Sequence, residues 1–181
     1  MAKTSRRLAR ADWVRTGLDA LAETGPSALK AEPLARRLGT TKGSFYWHFE
    51  DVPAFHAALL AQWEDEATAR TDTALAAEDG AVARLRRLAQ LIADRDAAFP
   101  VEPAVRAWAK DSDAARTAIA RVDDHRLTQI QTLLAEIGIA NPEMARIIYA
   151  AGIGMEELDK DTIGTNAAAM GSLVDLVLAL R

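Results

Sequence analysis

A helical period runs through almost the whole sequence, and this period restricts the fold more than any other feature. Apolar residues recur every three or four positions, as at Val14, Leu18 and Leu21, and no segment shows the convincing alternation of a strand. The six prolines sit at the boundaries of the periodic segments. The pattern predicts an all-α protein of about nine helices.

Two short helices are predicted around a turn at Gly39. The first follows Pro33 and ends at Gly39 in a left-handed cap, and the second covers about residues 42–48 after a cap from Thr40 or Thr41. A longer helix precedes both. Two short helices joined by a tight turn that contains glycine are typical of a helix-turn-helix motif.

The rest of the chain is predicted to form a larger helical body. Its boundary with the three-helix head lies near residue 50, which gives domains over residues 1–50 and 51–181. The segment that contains Pro100 and Pro103 is predicted as a turn. The helices of the body are predicted over about residues 51–77, 81–97, 113–137, 142–158 and 166–180.

Charge is distributed unevenly between the head and the body. The chain has a net charge of −4, but residues 1–50 hold nine Lys and Arg against five Asp and Glu. Residues 51–181 hold 13 against 21. A basic head on an acidic body is expected if only the head contacts a polyanion such as DNA. A chance fluctuation in a charged protein is the alternative.

The composition excludes several functional classes. The sequence has no cysteine, which rules out disulfides, thiolate metal sites and thiol catalysis. The three histidines, His48, His56 and His125, lack the spacing of metal ligands, and no glycine-rich phosphate loop is present. No apolar stretch is long enough to span a membrane, and the basic N-terminus does not resemble a secretory signal. We therefore expect a cytoplasmic protein without a cofactor, a metal or an enzymatic activity.

The segment GTTKGSFYWHFED concentrates aromatic and basic residues in a chain that is otherwise rich in Ala, Leu, Asp, Glu and Arg. On a helical wheel Phe45 and Phe49 share one face and are expected in the core of the head. Lys42, Gly43 and Tyr46 lie on another face. Glycine inside a helix costs ~1 kcal/mol relative to alanine. This cost is more easily tolerated where a partner must approach the backbone closely.

The stretch GPSALKAEPLARRLGTTKGSFYWHFEDVPAF, within residues 9–60, resembles the DNA-binding domain of the tetracycline-repressor (TetR) family of bacterial transcriptional regulators. Its most specific part is LARRLGTTKGSFYWHF. The resemblance implies an all-helical homodimer whose third helix enters the major groove of DNA and whose body holds a small-molecule ligand. The stretches PAVRAWAKDSDAARTAIARVDDHR and IIYAAGIGMEEL are similar to parts of the family's regulatory domains.

The resemblance implies that the third helix and its flanks contact DNA. Trp47 fits a core role and a contact role equally well, and His48 keeps a structural role as its alternative. Base contacts are implied for Thr41, Lys42, Gly43 and Tyr46, and phosphate contacts for Ser44, Tyr46 and His48. The predicted DNA-binding residues are Lys30, Thr40, Thr41, Lys42, Gly43, Ser44, Tyr46, Trp47 and His48.

Two positions depart from the family pattern. Lys30 stands where many members have Thr or Ser, so the second helix lacks a capping side chain but carries a charge for phosphate. Val52 follows the acidic Glu50 and Asp51, where many members have a lysine. The basic N-terminal end contains Arg6, Arg7 and Arg10. It is either an arm that contacts phosphate or the minor groove of DNA, or simply a solvated end.

The last predicted helix is apolar nearly all round, because only Ser172 and Asp175 are polar between Ala167 and Leu180. Such a helix is expected to pack on its own body and on a second chain. Together with the small residues of IIYAAGIGMEEL it predicts a two-fold, four-helix dimer interface. A monomer with a well-buried last helix is the alternative. The predicted interface residues are Ile148, Ala151, Gly152, Met170, Leu173, Val174, Val177 and Leu180.

A site for a small-molecule effector is predicted among the aromatic and methionine side chains of the body. Each of them is alternatively plain core, and the histidine among them alternatively lies on a solvated face. The candidates are Trp63, Phe99, Trp108, His125, Tyr149 and Met155.

These features favour a ligand-responsive repressor that binds a palindromic operator as a homodimer and is released by a small molecule. An enzyme is disfavoured, because the carboxylates lie in runs such as EDE and DKD that are expected on solvated faces. A helical adaptor that binds protein through the aromatic patch is the third class. The Gly-Lys start of the third helix and the basic head argue against it.

Overall fold

The regular secondary structure of the described part of the chain is entirely helical, as predicted. The computed structural model describes residues 8–93, 101–158 and 165–179. In these ranges it contains one 3₁₀ helix, Pro26–Ala28, and nine α-helices. The α-helices are α1 (Arg10–Thr24), α2 (Ala31–Arg37), α3 (Lys42–Tyr46), α4 (Val52–Ala76), α5 (Ala81–Ala93), α6 (Val101–Trp108), α7 (Asp113–Ile137), α8 (Pro142–Leu158) and α9 (Thr165–Leu178).

The turn between α2 and α3 is closed by backbone hydrogen bonds. Gly39 has a φ of 64°, in the left-handed region that favours glycine. Its N–H donates to the carbonyl of Arg36 at 3.2 Å, and the N–H of Thr40 donates to the carbonyl of Ala35 at 2.9 Å. These two bonds satisfy the last carbonyls of α2 in a Schellman arrangement. The left-handed cap predicted at Gly39 is confirmed.

Two prolines lie inside helices where the sequence places a boundary. α2 begins at Ala31 and includes Pro33, and α6 includes Pro103 in a segment that the sequence predicts as a turn. The predicted turn is therefore wrong at Pro103. Each proline is the third residue of its helix, where a backbone N–H has no partner within the helix, so the helix loses no bond. Pro100 lies outside the described residues.

The described residues group into two compact units. Unit 1 consists of those within 1–65 and 99–119, and unit 2 of those within 66–98 and 120–181. Unit 1 contains the helix-turn-helix and also includes α6, so it extends past residue 50. α4 and α7 contribute residues to both units. The domain boundary near residue 50 stays a prediction.

Unit 1 is organised around an aromatic cluster, whose members are all buried: Trp13, Phe45, Phe49 and Phe55. The ring of Phe45 lies at its centre. Its centroid is 5.4 Å from that of Trp13, 5.2 Å from that of Phe49 and 5.4 Å from that of Phe55. Favourably oriented aromatic pairs contribute about 0.5–1.5 kcal/mol each beyond their burial. The cluster thereby joins α1, α3 and α4.

Unit 2 has its core between α5, α7, α8 and α9. Gly152 permits the close approach of α8 to α5 and α9. A Cβ at this position would lie 2.6 Å from Cγ2 of Ile92 on α5 and 3.0 Å from Cε of Met170 on α9. Any larger residue at Gly152 therefore requires the core to shift.

Gly17 is the corresponding point of close contact between α1 and α4. A Cβ there would lie 2.5 Å from Cζ of Phe55 and 2.7 Å from Cδ1 of Leu59. We expect Gly17→Ala to lower the free energy of unfolding by about 1–3 kcal/mol, because both contacts belong to packed core side chains. Urea unfolding measures the difference. Gly43→Ala is the control, since its Cβ would meet Oγ1 of Thr41 at an ordinary 3.7 Å. Equal stability of Gly17→Ala and wild type would contradict this packing.

Candidate nucleic-acid interface

α3 turns one face to the aromatic cluster and the other to solvent. Thr41 begins the helix, and its Oγ1 accepts a hydrogen bond from the N–H of Ser44 at 3.3 Å. Phe45 is buried, as predicted. Lys42 and Gly43 are exposed on the opposite side. The five-residue helix therefore separates a structural face from an accessible one.

The aromatic residues at the end of α3 are accessible. Tyr46 is 46% exposed and Trp47 is 86% exposed, although both are large side chains with much apolar surface. The core alternative for Trp47 is therefore wrong. His48 is half-buried, with its ring centroid 6.3 Å from that of Trp13. His48 thus contacts the aromatic cluster and still presents part of its surface.

The remaining predicted DNA contacts lie in the same unit. Lys30 is exposed at the start of α2 and makes no side-chain capping bond, as its departure from the family pattern suggests. Thr40 and Ser44 are half-buried. Of the two threonines proposed as the cap, Thr41 caps α3, whereas the N–H of Thr40 closes the preceding turn.

Asp51 has a structural role at the start of α4. Its Oδ1 accepts a hydrogen bond from the N–H of Ala54 at 2.7 Å, which makes it the cap of this helix. Its carboxylate therefore lies at the N-terminus of α4, next to Val52, which stands where many family members have a lysine. The signal in the sequence is an aspartate two residues before Pro53, since both residue types favour a helix start.

The side chain of Arg10 packs against the head instead of extending away from it. Its guanidinium carbon lies 4.9 Å from the ring centroid of Phe49, a cation–π contact at the start of α1. Arg6 and Arg7, the other members of the predicted arm, lie outside the described residues.

Two of the effector candidates lie in unit 1. Trp63 and Trp108 are both buried. The ring of Trp108 stands edge-on to that of His56 at 5.0 Å, and Nε2 of His56 lies 3.0 Å from the carbonyl oxygen of Leu29. Phe99 lies outside the described residues.

The effector candidates in unit 2 include two polar contacts. The Oη of Tyr149 donates to Oδ1 of Asp123 at 2.7 Å, and Nε2 of His125 lies 2.9 Å from Oδ1 of Asp72. Tyr149 is buried and His125 is half-buried, so His125 is not on a fully solvated face. Met155 is half-buried against the core of unit 2. The five described candidates are thus divided between the two units.

Neither of two grooves in the described part of the chain is lined by a described effector candidate. The groove in unit 1 has a volume of about 460 Å³ and is lined by Thr24, Ser27, Ala28, Pro33, Arg36 and Arg37. The groove in unit 2 has a volume of about 350 Å³ and is lined by Leu75, Ala76, Glu78, Asp79, Arg84, Gln129, Thr132, Leu133 and Glu136.

Most of the predicted interface residues lie inside unit 2 of a single chain. Because α5 packs on both α8 and α9, it covers the side of these helices that the sequence assigns to a partner. Ile147 and Leu176, by contrast, are 50% and 64% exposed. Of the predicted set, Ile148, Gly152, Met170, Val174 and Val177 are buried, Ala151 and Leu173 are half-buried, and Leu180 lies outside the described residues.

Within the described ranges, no group of three His, Asp or Glu side chains is arranged to hold a metal ion. None of the helices found there combines the length and the apolar character that a membrane crossing requires.

Comparison with known proteins places this helix-turn-helix in a family. The family model for bacterial regulatory proteins of the tetR family matches residues 14–51. A Rhodococcus sp. structure described as a TetR-family transcriptional regulator aligns at a TM-score of 0.75 and 19% identity, covering 93% of this chain and 98% of that one. A regulator from Rhodococcus sp. Rha1 aligns at a TM-score of 0.73 and 20% identity, covering 96% and 95%.

A third structure of the same fold contains a ligand. It is a transcriptional regulator from Saccharomonospora viridis in complex with choline, with a TM-score of 0.67, 17% identity, and coverage of 94% of this chain and 95% of that one. No protein among the curated sequences matches this chain.

The fold and the matched head define a helical protein with an N-terminal helix-turn-helix domain of the tetR type. More particularly, residues 14–51 match the tetR family model, and the chain is similar in fold to solved TetR-family transcriptional regulators over nearly its whole length.

The exposure of the tryptophans gives a direct test of the accessible face in the free protein. Trp13, Trp63 and Trp108 are buried, so we expect iodide to quench mainly the fluorescence of Trp47. Trp47→Phe should remove the iodide-sensitive emission and change stability by no more than about 0.5 kcal/mol, as for a surface substitution. Trp63→Phe is the control and should keep that emission. Iodide-sensitive emission that persists in Trp47→Phe would show that another tryptophan is accessible.

Proposed function

We propose that the protein is a transcriptional repressor that binds a palindromic DNA operator as a homodimer and is released by a small-molecule effector. The observation that carries this proposal is the exposed side of α3. Lys42, Gly43, Tyr46 and Trp47 face solvent on and beside a helix whose other face is fixed in the aromatic cluster. Burial of the core does not require these side chains, and their chemistry suits a DNA groove.

Each side chain on this surface has a distinct proposed contact. The ammonium of Lys42 reaches a base edge in the major groove, where guanine presents two acceptors. Gly43 has no side chain to hold the backbone away from the bases. Tyr46, Trp47 and His48 contact the sugar-phosphate backbone, which fixes the register of the helix on the duplex. Lys30 and Ser44 are proposed to add phosphate contacts.

Selection from random duplexes, followed by a salt titration, tests this function. We expect a palindromic consensus, because a two-fold dimer presents two recognition helices to two half-sites. The selected duplex should bind about 10³-fold or more tightly than a scrambled one, and its affinity should fall steeply with salt. Equal affinity for the scrambled duplex, or affinity that does not change with salt, would contradict specific operator binding.

The role of Lys42 is tested by its removal. We expect Lys42→Ala to reduce the preference for the selected duplex over a scrambled one by about 5- to 150-fold, which corresponds to about 1–3 kcal/mol for a base contact. Urea unfolding should be unchanged, since the side chain is exposed. Lys110→Ala, at another exposed lysine of unit 1, is the matched control and should keep full specificity. An unchanged preference in Lys42→Ala would refute this assignment.

The dimer is proposed to form through the outward faces of α8 and α9. Ile147 and Leu176 are large apolar side chains that unit 2 leaves half or more exposed. Ala150 and Gly154 follow Ile147 along the exposed face of α8, and their small size permits the close approach of another helix. The buried members of the predicted interface then support these helices from beneath.

A charge on this surface tests the proposed interface. We expect Leu176→Glu to produce a folded monomer, because it places a carboxylate in an apolar contact between chains but leaves the core of unit 2 unchanged. Sedimentation equilibrium measures the molecular mass. Thr128→Glu, at an exposed position of α7, is the control and should remain dimeric. A Leu176→Glu protein that stays dimeric would exclude this surface as the interface.

The effector is proposed to act through the body, with an allosteric coupling of ~1–3 kcal/mol that lowers operator affinity ~5- to 150-fold. Two carboxylates each lie beside a candidate residue, Asp72 beside His125 and Asp123 beside Tyr149. Carboxylates beside an aromatic ring suit a small cation. Choline, which the Saccharomonospora viridis regulator contains, is therefore the first compound to test.

A further inference from the structure

Lys42 and Tyr46 are the first and last residues of α3 and lie four positions apart. Residues with this spacing are neighbours on the surface of a helix. The Nζ of Lys42 lies 5.9 Å from the ring centroid of Tyr46, within the range of a cation–π contact. Within the described ranges no carboxylate forms an ion pair with Lys42, so no salt bridge there competes with the ring for its ammonium.

The ring of Tyr46 is itself held in place by the core of unit 1. It packs against the ring of Phe45 with a centroid distance of 5.2 Å and an interplanar angle of 83°. Phe45 is buried at the centre of the aromatic cluster, so it does not move freely. Tyr46 therefore presents a supported ring to the mobile, four-carbon stem of Lys42.

We propose that the ring of Tyr46 is a positioning residue for Lys42, holding its ammonium where it reads a base edge. This inference rests on the proposed function of α3. It separates two roles of one side chain. The ring sets the base preference that Lys42 provides, while the hydroxyl contributes a phosphate contact that is independent of base sequence.

The two roles predict different effects for two substitutions at position 46. Tyr46→Phe keeps the ring and removes the hydroxyl, so affinity for all duplexes should fall together while the base preference stays within about 2-fold. Tyr46→Leu removes the ring. It should reduce the preference by a further factor of about 2 to 5, as expected for a cation–π contact at an exposed site.

A double-mutant cycle tests the coupling. Wild type, Tyr46→Leu, Lys42→Met and the double variant are compared for their ratio of affinities, using the selected duplex and a duplex changed at the base pair where Lys42→Met loses preference. We expect Tyr46→Leu to lower this ratio in the wild-type background and to have no effect on it in the Lys42→Met background. A purely structural role of Tyr46 would instead lower affinity for both duplexes equally.

The same contact is measured in the free protein, where DNA plays no part. The ε-methylene protons of Lys42 should be shifted upfield by the ring in wild type and in Tyr46→Phe, and the shift should vanish in Tyr46→Leu. This readout also serves if Tyr46→Leu binds DNA too weakly for the cycle.

Three outcomes would overturn the inference. They are an equal loss of preference in Tyr46→Phe and Tyr46→Leu, an undiminished effect of Tyr46→Leu in the Lys42→Met background, and an absent ring-current shift in wild type. Each leaves the specific binding of wild type intact, so the proposed function survives. Failure of wild type to select any sequence would instead remove the proposed function and this inference with it.

Discussion

The burial of Phe45 is the interaction on which the proposed DNA-binding surface depends. An isolated helix of five residues would not be stable in water, so α3 must be held by tertiary contacts. Phe45 provides them, because its ring meets Trp13 of α1, Phe55 of α4 and Phe49 in the intervening turn. Once Phe45 is fixed, the helical period determines that Lys42, Gly43 and Tyr46 face outward.

Capping interactions then define where α2 ends and where α3 and α4 begin. Gly39 closes α2 in a conformation that other residues rarely adopt, Thr41 caps α3, and Asp51 caps α4. The capping role of Asp51 has an electrostatic consequence. The carboxylate of Asp51 is expected to repel a nearby phosphate. The partial positive charge at the N-terminus of α4 offsets part of this negative charge. We therefore propose that the charge for phosphate comes from elsewhere on the head, with exposed Lys30 as a candidate.

The sequence predicts the head well because the signals there are local. The four-residue spacing of Phe45 and Phe49 predicts their burial, and both are buried. The spacing cannot decide Trp47, since its position follows from where the short helix ends. The start of α2 and the whole of α6 are not predicted, for the same reason in both cases. A proline in the first turn of each helix is interpreted as a helix boundary, although proline is compatible with that position.

The body is predicted less well because its signals are not local. The apolar character of α9 predicts burial on two sides, but the sequence does not show which side faces α5, and among the described residues of this helix only the stripe of Met170, Val174 and Val177 is buried. Met170 and Val174 therefore pack within their own chain, whereas Leu176 is exposed. The sequence likewise does not show which effector candidates line a ligand site. Burial of Trp63, Trp108 and Tyr149 is confirmed, but burial alone does not distinguish a core residue from the lining of a ligand site.

The most direct test of the account is the accessibility of Trp47 in the complex with DNA. Iodide quenching of wild-type fluorescence is measured while the selected operator duplex is added, with a scrambled duplex as the control. If the exposed side of α3 is the DNA-binding surface, the operator should protect Trp47 from iodide at the concentrations at which it binds. Saturating operator that leaves Trp47 as accessible as in the free protein would contradict the central claim.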